Sequence, residues 1–467
     1  MIRLDLHTIA QVLHANLIGD GNVWVENVST DTRESTKNGL FFALKGEKFD
    51  AHHYVAQAVQ QGCIALVVEQ ATEMTVPQLV VKDTRLALGQ LAQWLKAKLA
   101  PKTVAMTGSS GKTTVKEMTA AILRQTAGEL AETADKNQRV LFTNGNFNND
   151  IGVPLTLLRL TEQHQFAVIE LGANHQGEIA YTTNLVKPDV ALVNNVAAAH
   201  LEGFGSIDGV AQAKGEIYLG LPENGTAIIN LNCHYLDKWQ KNIAGKKLQS
   251  FSVDNTAADF YATDVRLTET GSHFTLHSPN GNIGIDLPYL GEHNISNALA
   301  ASALAMNVGA SLQNVKQGLE QGSFVKGRLF PIKPCDNLLL LDDTYNANVD
   351  SLQSAIRVLQ KYPAFRILVV GDMAELGENT KLCHQQVADF AQQAKLDLVL
   401  SFGQDSVCIS MACQGKHFDD KAALVDYLIP IIEQNLEQKQ QVVLLAKGSR
   451  RMKMEEVINL LKGRFVC

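Results

Sequence analysis

The sequence predicts an α/β protein of about three domains: a small N-terminal unit, a central unit with a mostly parallel sheet, and a third α/β unit. Three observations carry this. A chain of 467 residues is about three times the ~150 residues of an average domain. From about residue 100 onward, short apolar β-prone runs alternate with stretches of helical periodicity, the pattern of strand–helix–strand units around a parallel sheet. After Gly327-Arg328 the pattern restarts. The expected domains are therefore residues 1–84, 85–327 and 328–467.

Composition narrows the function class. Hydrophobic residues at 46% and charged residues at 19% allow each domain an ordinary core. No apolar run approaches the ~18 residues of a membrane span, and Met1 to His7 lack the basic-then-apolar pattern of a secretory signal. A net charge of −7 argues against nucleic acid as a partner. The seven cysteines, Cys63, Cys233, Cys335, Cys383, Cys408, Cys413 and Cys467, are scattered without a C-x-x-C pair. They read as reduced thiols of a cytoplasmic protein rather than a zinc site or disulfide framework.

In the first unit, Leu40 to Leu44, Ile64 to Val68 and Leu79 to Val81 read as strands, and the spacing of Val55, Ala58 and Val59 reads as a helix. Thr30, Asp31 and Arg33, with Lys45 beyond the next strand, offer hydroxyls and cations that could hold a phosphorylated ligand. Residue types alone favour the plainer reading, a turn with a solvated salt bridge. An amphipathic helix, Arg85 to Leu99, ends before Pro101 and delivers the chain to the next strand.

That strand, Val104 to Thr107, runs into Gly108-Ser109-Ser110-Gly111-Lys112-Thr113-Thr114, then a helix with Val115, Met118 and Ile122 on one face. Strand, glycine loop and helix in this order bring backbone N–H groups and the positive end of a helix to one point, as phosphate binding requires. Lys112 would reach the terminal phosphates of a nucleoside triphosphate, and the Thr113 hydroxyl would ligate Mg²⁺. The first glycine of the usual pattern is displaced: Met106 stands there, and Gly108 comes later.

Further strands follow at Phe166 to Ile169, Val190 to Val193 and Ala227 to Ile229. Glu170 ends the first of them, where a metal-binding carboxylate sits beside a P-loop strand. His200, and Lys214 in a helical stretch, are individually unremarkable: a histidine after a strand is more often packed, and a helical lysine more often solvated. The loop Thr143 to Pro154 carries Asn144, Asn146, Asn148 and Asn149. So many amides suit a polar cradle for a hydroxyl- or amide-rich substrate. Asn294, ahead of the Ala-rich helix Ala298 to Met306, either caps that helix or faces a nucleotide base.

In the third unit the strands are Leu338 to Leu341, Ile367 to Val370, Leu396 to Leu400 and Val442 to Leu445. Polar segments follow them, Asp342 to Asn348, Gly371 to Gly377 and Lys447 to Arg450, at the carboxyl ends where open parallel sheets bind ligands.

Taken together, Thr107 to Thr113, the asparagine loop, His293 to Asn297, Asp343 to Asn348, Gly371 to Gly377 and Lys447 to Arg450 resemble the Mur ligases, in family order and over nearly the whole chain. Val349 departs from the pattern, since this group usually has proline there. The resemblance implies an N-terminal domain holding a UDP end, a central ATPase and a C-terminal Rossmann-like domain. Tyr345 to Asn348 and Gly371 to Gly377 point within the family to the member that joins D-alanyl-D-alanine to UDP-N-acetylmuramoyl-tripeptide. That reaction uses ATP and passes through an acyl phosphate.

The resemblance also implies roles. Gly108 to Thr114, Asn294, Arg328 and Asp343 would bind ATP; Thr113 and Glu170 would bind one Mg²⁺ and His200 a second. Lys214 would be carbamylated, joining Lys112, Glu170 and His200 in the catalytic set. Thr30, Asp31, Arg33, Lys45, Asn144, Asn146 and Asn148 would meet the UDP-substrate, and Asn346, Asn348, Asp372 and Lys447 the dipeptide. A monomeric cytoplasmic enzyme with no membrane span and no nucleic-acid partner is expected, its domains closing about hinges near Leu99 to Pro101 and Gly327. Another Mur ligase, a folylpolyglutamate synthase-type ligase, and a nucleotide-switched binding protein or motor ATPase stand as alternatives.

Overall fold

A computed structural model of the chain describes residues 1–46, 49–129, 136–322 and 325–465. Among these residues the strands form four sheets. The first 80 residues hold a two-stranded ribbon (Leu4–Asp5 with Trp24–Val25) and a five-stranded sheet. The five run in the order Asn16–Ile18, Gln78–Val80, Cys63–Val68, Gly39–Phe42 and Asn27–Ser29. Helix Thr84–Leu99 follows, capped by the Asp83 carboxylate on the N–H groups of Arg85 and Leu86. Its Leu88, Leu91 and Leu95 sit in one apolar cluster with Leu40 and Val67 of the first sheet and Ala105 and Ile169 of the next. The helix thus belongs to both layers.

The central sheet has nine strands, ordered Gly281–Leu287, Ser272–Ser278, Phe260–Leu267, Lys247–Ser252, Thr226–Asn230, Val190–Val193, Lys102–Thr107, Phe166–Glu170 and Val140–Phe142. Strands Val140–Phe142 through Phe260–Leu267 pair in parallel. The central ones, Phe166–Glu170 and Val190–Val193, read as apolar runs and are buried throughout, as expected where helices cover both faces. One face packs on helices Lys112–Glu129, Glu292–Met306 and Leu312–Glu320. Small residues permit close approach there: a Cβ on Gly318 would lie 2.5 Å from Ile122 Cα. The meander Phe260–Leu267, Ser272–Ser278 and Gly281–Leu287 extends the sheet antiparallel, an addition the helical periodicity upstream does not foreshadow.

The third sheet is ordered Phe330–Cys335, Leu338–Asp343, Val442–Lys447, Phe365–Gly371, Leu398–Phe402 and Lys416–Phe418. All pairs are parallel except the first. Pro331 and Pro334 sit in that first strand, an edge position where a missing N–H breaks no ladder.

Two registers matter for function. Glu170 lies opposite Met106, and Val193 opposite Thr107, so the P-loop, Glu170 and Asn194 leave one edge of the sheet together. In the third sheet, Asp343 lies opposite Lys447 and Val370 opposite Lys447, which again gathers the polar segments at the carboxyl ends. None of the helices in the described residues is long and apolar enough to cross a membrane. Cys63, Cys233, Cys383, Cys408 and Cys413 are unpaired thiols; Cys467 lies outside the described residues.

Candidate functional site

The P-loop is held by a relay of asparagine amides. The Ser110 N–H donates to Asn195 Oδ1 at 2.8 Å, and the Ser109 N–H to the Asn195 carbonyl at 3.1 Å. Asn194 Nδ2 donates to the Ser110 carbonyl and to Asn297 Oδ1, and Asn297 Nδ2 donates to Asn294 Oδ1 at 2.9 Å. Asn294 Nδ2 ends the relay on the Leu290 carbonyl. Asn294 therefore does not cap its helix. Helix Glu292–Met306 starts earlier than its alanines suggest, its N-cap is Gly291, and Asn294 lies within the first turn. Gly111 has φ +76°, and a Cβ there would lie 2.5 Å from Asn297 Oδ1. Glycine is required both by conformation and by space.

A cavity of about 210 Å³ opens in front of this loop. Ser109, Ser110, Gly111, Lys112, Asn146, Asn148, Glu170, His200 and Lys214 line it from the central unit, and Arg328, Asn346 and Asn348 from the C-terminal unit. Lys112 opens helix Lys112–Glu129, and its Nζ donates to the Gly108 carbonyl at 2.7 Å. Burial lowers its pKa, opposed by the nearby Glu170 carboxylate. Glu170 is buried; Oε1 accepts from Asn148 Nδ2 at 2.8 Å, whereas Oε2 is buried with no hydrogen-bond partner among the described residues. Lys214, in helix Ile207–Gly215, is also buried, and burial followed by Lys112 pushes its pKa well below the usual lysine range. No hydrogen bond to its Nζ is formed among the described residues. Its cationic form is disfavoured and its neutral amine favoured.

His200 has φ 55° and sets Nδ1 against the Glu375 carboxylate of the C-terminal unit. Among the described residues Nδ1 has this charged contact but no hydrogen-bond partner.

A second, smaller cavity of about 130 Å³ lies on the other side of Ser110 and Gly111, lined also by Asn194, Asn195, Asn294, Asn297, Arg328, Asp343 and Lys447. Arg328 borders both cavities, its guanidinium 4.2 Å from the Tyr345 ring centroid. Lys447 and Asp343 form a buried ion pair at 2.7 Å, and Lys447 Nζ also donates to the Asn346 carbonyl. Burial lowers the Lys447 pKa, offset by Asp343. A larger cleft of about 990 Å³ between the Leu267–Glu269 corner and helix Val349–Gln360 meets this cavity at His293, Ser296 and Ser354, but contains no P-loop residue.

Several expected site residues fall elsewhere. Asp372 is bonded to its own chain. Its carboxylate is buried and accepts the N–H groups of Gln404, Asp405 and Ser406, which hold its pKa below the ordinary value although burial alone would raise it. It organises a loop and does not line either cavity. Asn348 lines the cleft but its Oδ1 also caps helix Val349–Gln360 in a reciprocal pair with Ser351. Val349 is the first helical residue, where proline would also fit. Asn144 does not line the cleft, and Asn149 does. Thr113 and Thr114 occupy the first turn beyond Lys112, with Thr114 facing the smaller cavity. In the N-terminal unit, Arg33 is exposed and its guanidinium grips Asp31 with Nε at 2.9 Å, the solvated turn pair. Lys45 is exposed, its main chain paired antiparallel with that of Asp50, and Thr30 is half-buried. None of the four lines either cavity.

Comparison with known proteins now decides the family. Residues 25–94 match the Mur ligase family catalytic domain, 106–305 the Mur ligase middle domain, and 327–450 the Mur ligase glutamate ligase domain. The chain is 63% identical over its full length, and that of the relative, to a UDP-N-acetylmuramoyl-tripeptide–D-alanyl-D-alanine ligase of Haemophilus influenzae. The chain belongs to the Mur ligase family. An enzyme of the same description from Escherichia coli is 50% identical, again with both chains fully covered. Among solved structures, MurF from Acinetobacter baumannii superposes with a TM-score of 0.90 at 38% identity, covering 99% of each chain. MurF from Thermotoga maritima, solved in complex with ADP, gives a TM-score of 0.82 at 25% identity, covering 94% of this chain and 98% of that one.

In this Mur ligase, sequence reasoning passed over Asn194 and Asn195, which tie the P-loop down. Their signal was available: they follow directly on the Val190–Val193 strand, at the carboxyl edge beside the P-loop.

Proposed function

We propose that this Mur ligase joins D-alanyl-D-alanine to the terminal carboxylate of UDP-N-acetylmuramoyl-tripeptide at the expense of ATP, in peptidoglycan precursor synthesis. One observation supports the reading most. A single cavity has the P-loop and Lys112 on one wall, the unpartnered Glu170 oxygen and the neutral-favouring Lys214 on another, and Arg328 and Asn346 of the C-terminal unit on a third. Such a cleft is suited to holding two anions against each other, which is what activation of a carboxylate by ATP demands.

The chemistry needs no protein nucleophile. A carboxylate oxygen of the tripeptide attacks the γ-phosphorus, the bond to the β-phosphate oxygen breaks, and ADP leaves. The resulting acyl phosphate is attacked at carbon by the dipeptide amine, which loses a proton as the C–N bond forms. The tetrahedral intermediate collapses with phosphate carrying away the bonding electron pair. P-loop N–H groups and Lys112 would hold the phosphates, while Arg328, Asn294 and Asp343 would hold the rest of the nucleotide. Asn346, Asn348 and Lys447 would lie near the incoming dipeptide, and Asn146 and Asn148 near the muramoyl peptide. Thr30, Asp31, Arg33 and Lys45 would take the UDP end. Engaging it would sacrifice only the exposed, solvent-screened Asp31–Arg33 pair.

The residues fit divalent cations. A buried carboxylate oxygen without a partner, as at Glu170, is stabilised by a hard cation. Thr113 with Glu170 would hold one Mg²⁺ and His200 a second. No group of three His, Cys, Asp or Glu side chains is gathered for a metal among the described residues, so phosphate oxygens would complete the shell. When bound, the ions neutralise phosphate charge. Lys214 would be carbamylated, since the neutral amine its surroundings favour is the form that adds carbon dioxide. A monomer acting in the cytoplasm is part of the same proposal.

The test is phosphate release from ATP and Mg²⁺ with UDP-muramoyl-tripeptide, with and without D-alanyl-D-alanine, alongside mass analysis of the nucleotide product. The reading requires release that depends on both substrates and a product bearing the added dipeptide. Release indifferent to the dipeptide would sink it.

A further inference from the structure

Glu375 belongs to the C-terminal unit yet does its bonding in the central one. Its backbone is left-handed, φ 61°, a conformation that favours glycine and persists elsewhere only when the surroundings impose it. Its carbonyl accepts the Glu202 N–H at 3.2 Å, and its carboxylate meets His200 Nδ1. Main chain and side chain therefore engage the same three-residue stretch across the domain boundary. Leu201 and Phe204 pack beside it in one apolar cluster with Leu329, Met373 and Leu376, so the short helix Leu201–Phe204 is docked on the Gly371–Gly377 segment. His200 also has a left-handed backbone. His200 lines the reaction cleft and Glu375 does not, which puts the carboxylate behind the ring and leaves Nε2 as the nitrogen available to the cleft.

We propose that Glu375 is a positioning residue: docking of the C-terminal unit orients the His200 imidazole through Nδ1 and so presents Nε2 to a divalent cation. The arrangement is that of a carboxylate behind a metal-binding histidine; the two groups here make a close charged contact without an aligned hydrogen bond, and alignment through Nδ1–H would fix ring orientation and tautomer. It ties the metal site to the C-terminal unit, because the orienting carboxylate belongs to that unit and not to the central one. The inference rests on the reading of His200 as a cation ligand.

The test uses the full chain with Glu375→Ala, Glu375→Gln, His200→Ala and the Glu375→Ala/His200→Ala double variant. Mn²⁺ is the probe, titrated with a non-hydrolysable ATP analogue present and followed by electron paramagnetic resonance. Nitrogen-15 NMR of the metal-free chain reports the His200 tautomer. Glu375 is half exposed, 54% for its side chain, so the variants should fold, as thermal melting will show. Glu375→Ala should weaken Mn²⁺ binding by about 10- to 100-fold and shift the imidazole away from the Nδ1–H form. Glu375→Gln, which keeps an acceptor, should lose less. Glu375→Ala should add nothing once His200 is alanine. An unchanged tautomer with unchanged Mn²⁺ affinity overturns the proposal, as does a loss that persists undiminished in the His200→Ala background. If His200→Ala binds Mn²⁺ like the native chain, the ligand reading of His200 fails instead, and the tautomer still reports whether Glu375 orients the ring.

Discussion

Glu170 and Asp372 are both buried carboxylates at the carboxyl ends of apolar parallel strands, one in each of the two larger sheets, and they have opposite surroundings. Asp372 receives three backbone N–H groups. Glu170 receives one asparagine amide and leaves Oε2 buried and unpartnered. Buried polar groups are nearly always satisfied, because an unmade hydrogen bond costs ~1–3 kcal/mol or more for a charged group. A carboxylate satisfied by its own chain is therefore architecture, and one left short is poised for something the chain lacks. Lys447, paired with Asp343 and the Asn346 carbonyl, and Lys214, with no hydrogen bond among the described residues, repeat the contrast in cations.

Variants can break or sharpen that contrast. The largest effect is expected at Lys112→Ala, which should reduce acceptor-dependent phosphate release by roughly 10³-fold or more with an unchanged melting temperature. Next, Glu170→Gln should cost about 10²- to 10³-fold in kcat without loss of stability, since it removes an unsatisfied buried charge. Asp372→Ala should do the reverse. It strands three N–H groups and should cost about 2–4 kcal/mol in denaturant unfolding, with turnover per folded molecule close to native. If Asp372→Ala instead loses turnover while remaining fully stable, the contrast is wrong.

Lys214 supplies a pH signature. Its folded-state pKa is lowered, so between that value and the 10.5 of an ordinary lysine the unfolded chain binds more protons. Stability therefore rises with pH through that window. In buffers free of carbon dioxide, Lys214→Met should flatten the rise and stabilise the fold at neutral pH. The smallest effect belongs to Asn348→Ala, a lost helix cap worth about 1 kcal/mol, measurable by thermal melting.

The same contrast explains what the sequence could and could not disclose. Strand and helix periodicity located the P-loop, Glu170 and the polar ends of the third sheet, because a strand buried on both faces is written as an unbroken apolar run. Periodicity places a residue at the end of a strand but not the direction of its side chain. Asp372 looked like a ligand contact for that reason, and only the fold turns its carboxylate toward the Gln404–Ser406 amides. Asn294 reads equally as a cap or a base contact because helix Glu292–Met306 begins on residues of weak propensity, and its amide bonds locally to Asn297 and to the Leu290 carbonyl. The His200–Glu375 contact is long-range and invisible to local pattern, whereas the antiparallel meander over residues 260–287 is built of local hairpins whose turn at Asn280-Gly281 is a signal the sequence does carry.

The claim at the centre of this account is that the under-satisfied cleft activates a carboxylate with the γ-phosphoryl group of ATP. UDP-muramoyl-tripeptide labelled with oxygen-18 in its terminal carboxylate tests it most directly. Turnover with ATP, Mg²⁺ and D-alanyl-D-alanine should deliver one labelled oxygen to each phosphate released, because the oxygen that attacked phosphorus leaves with it. Phosphate free of label, with the dipeptide product still formed, would contradict an acyl phosphate and the role assigned to the cleft.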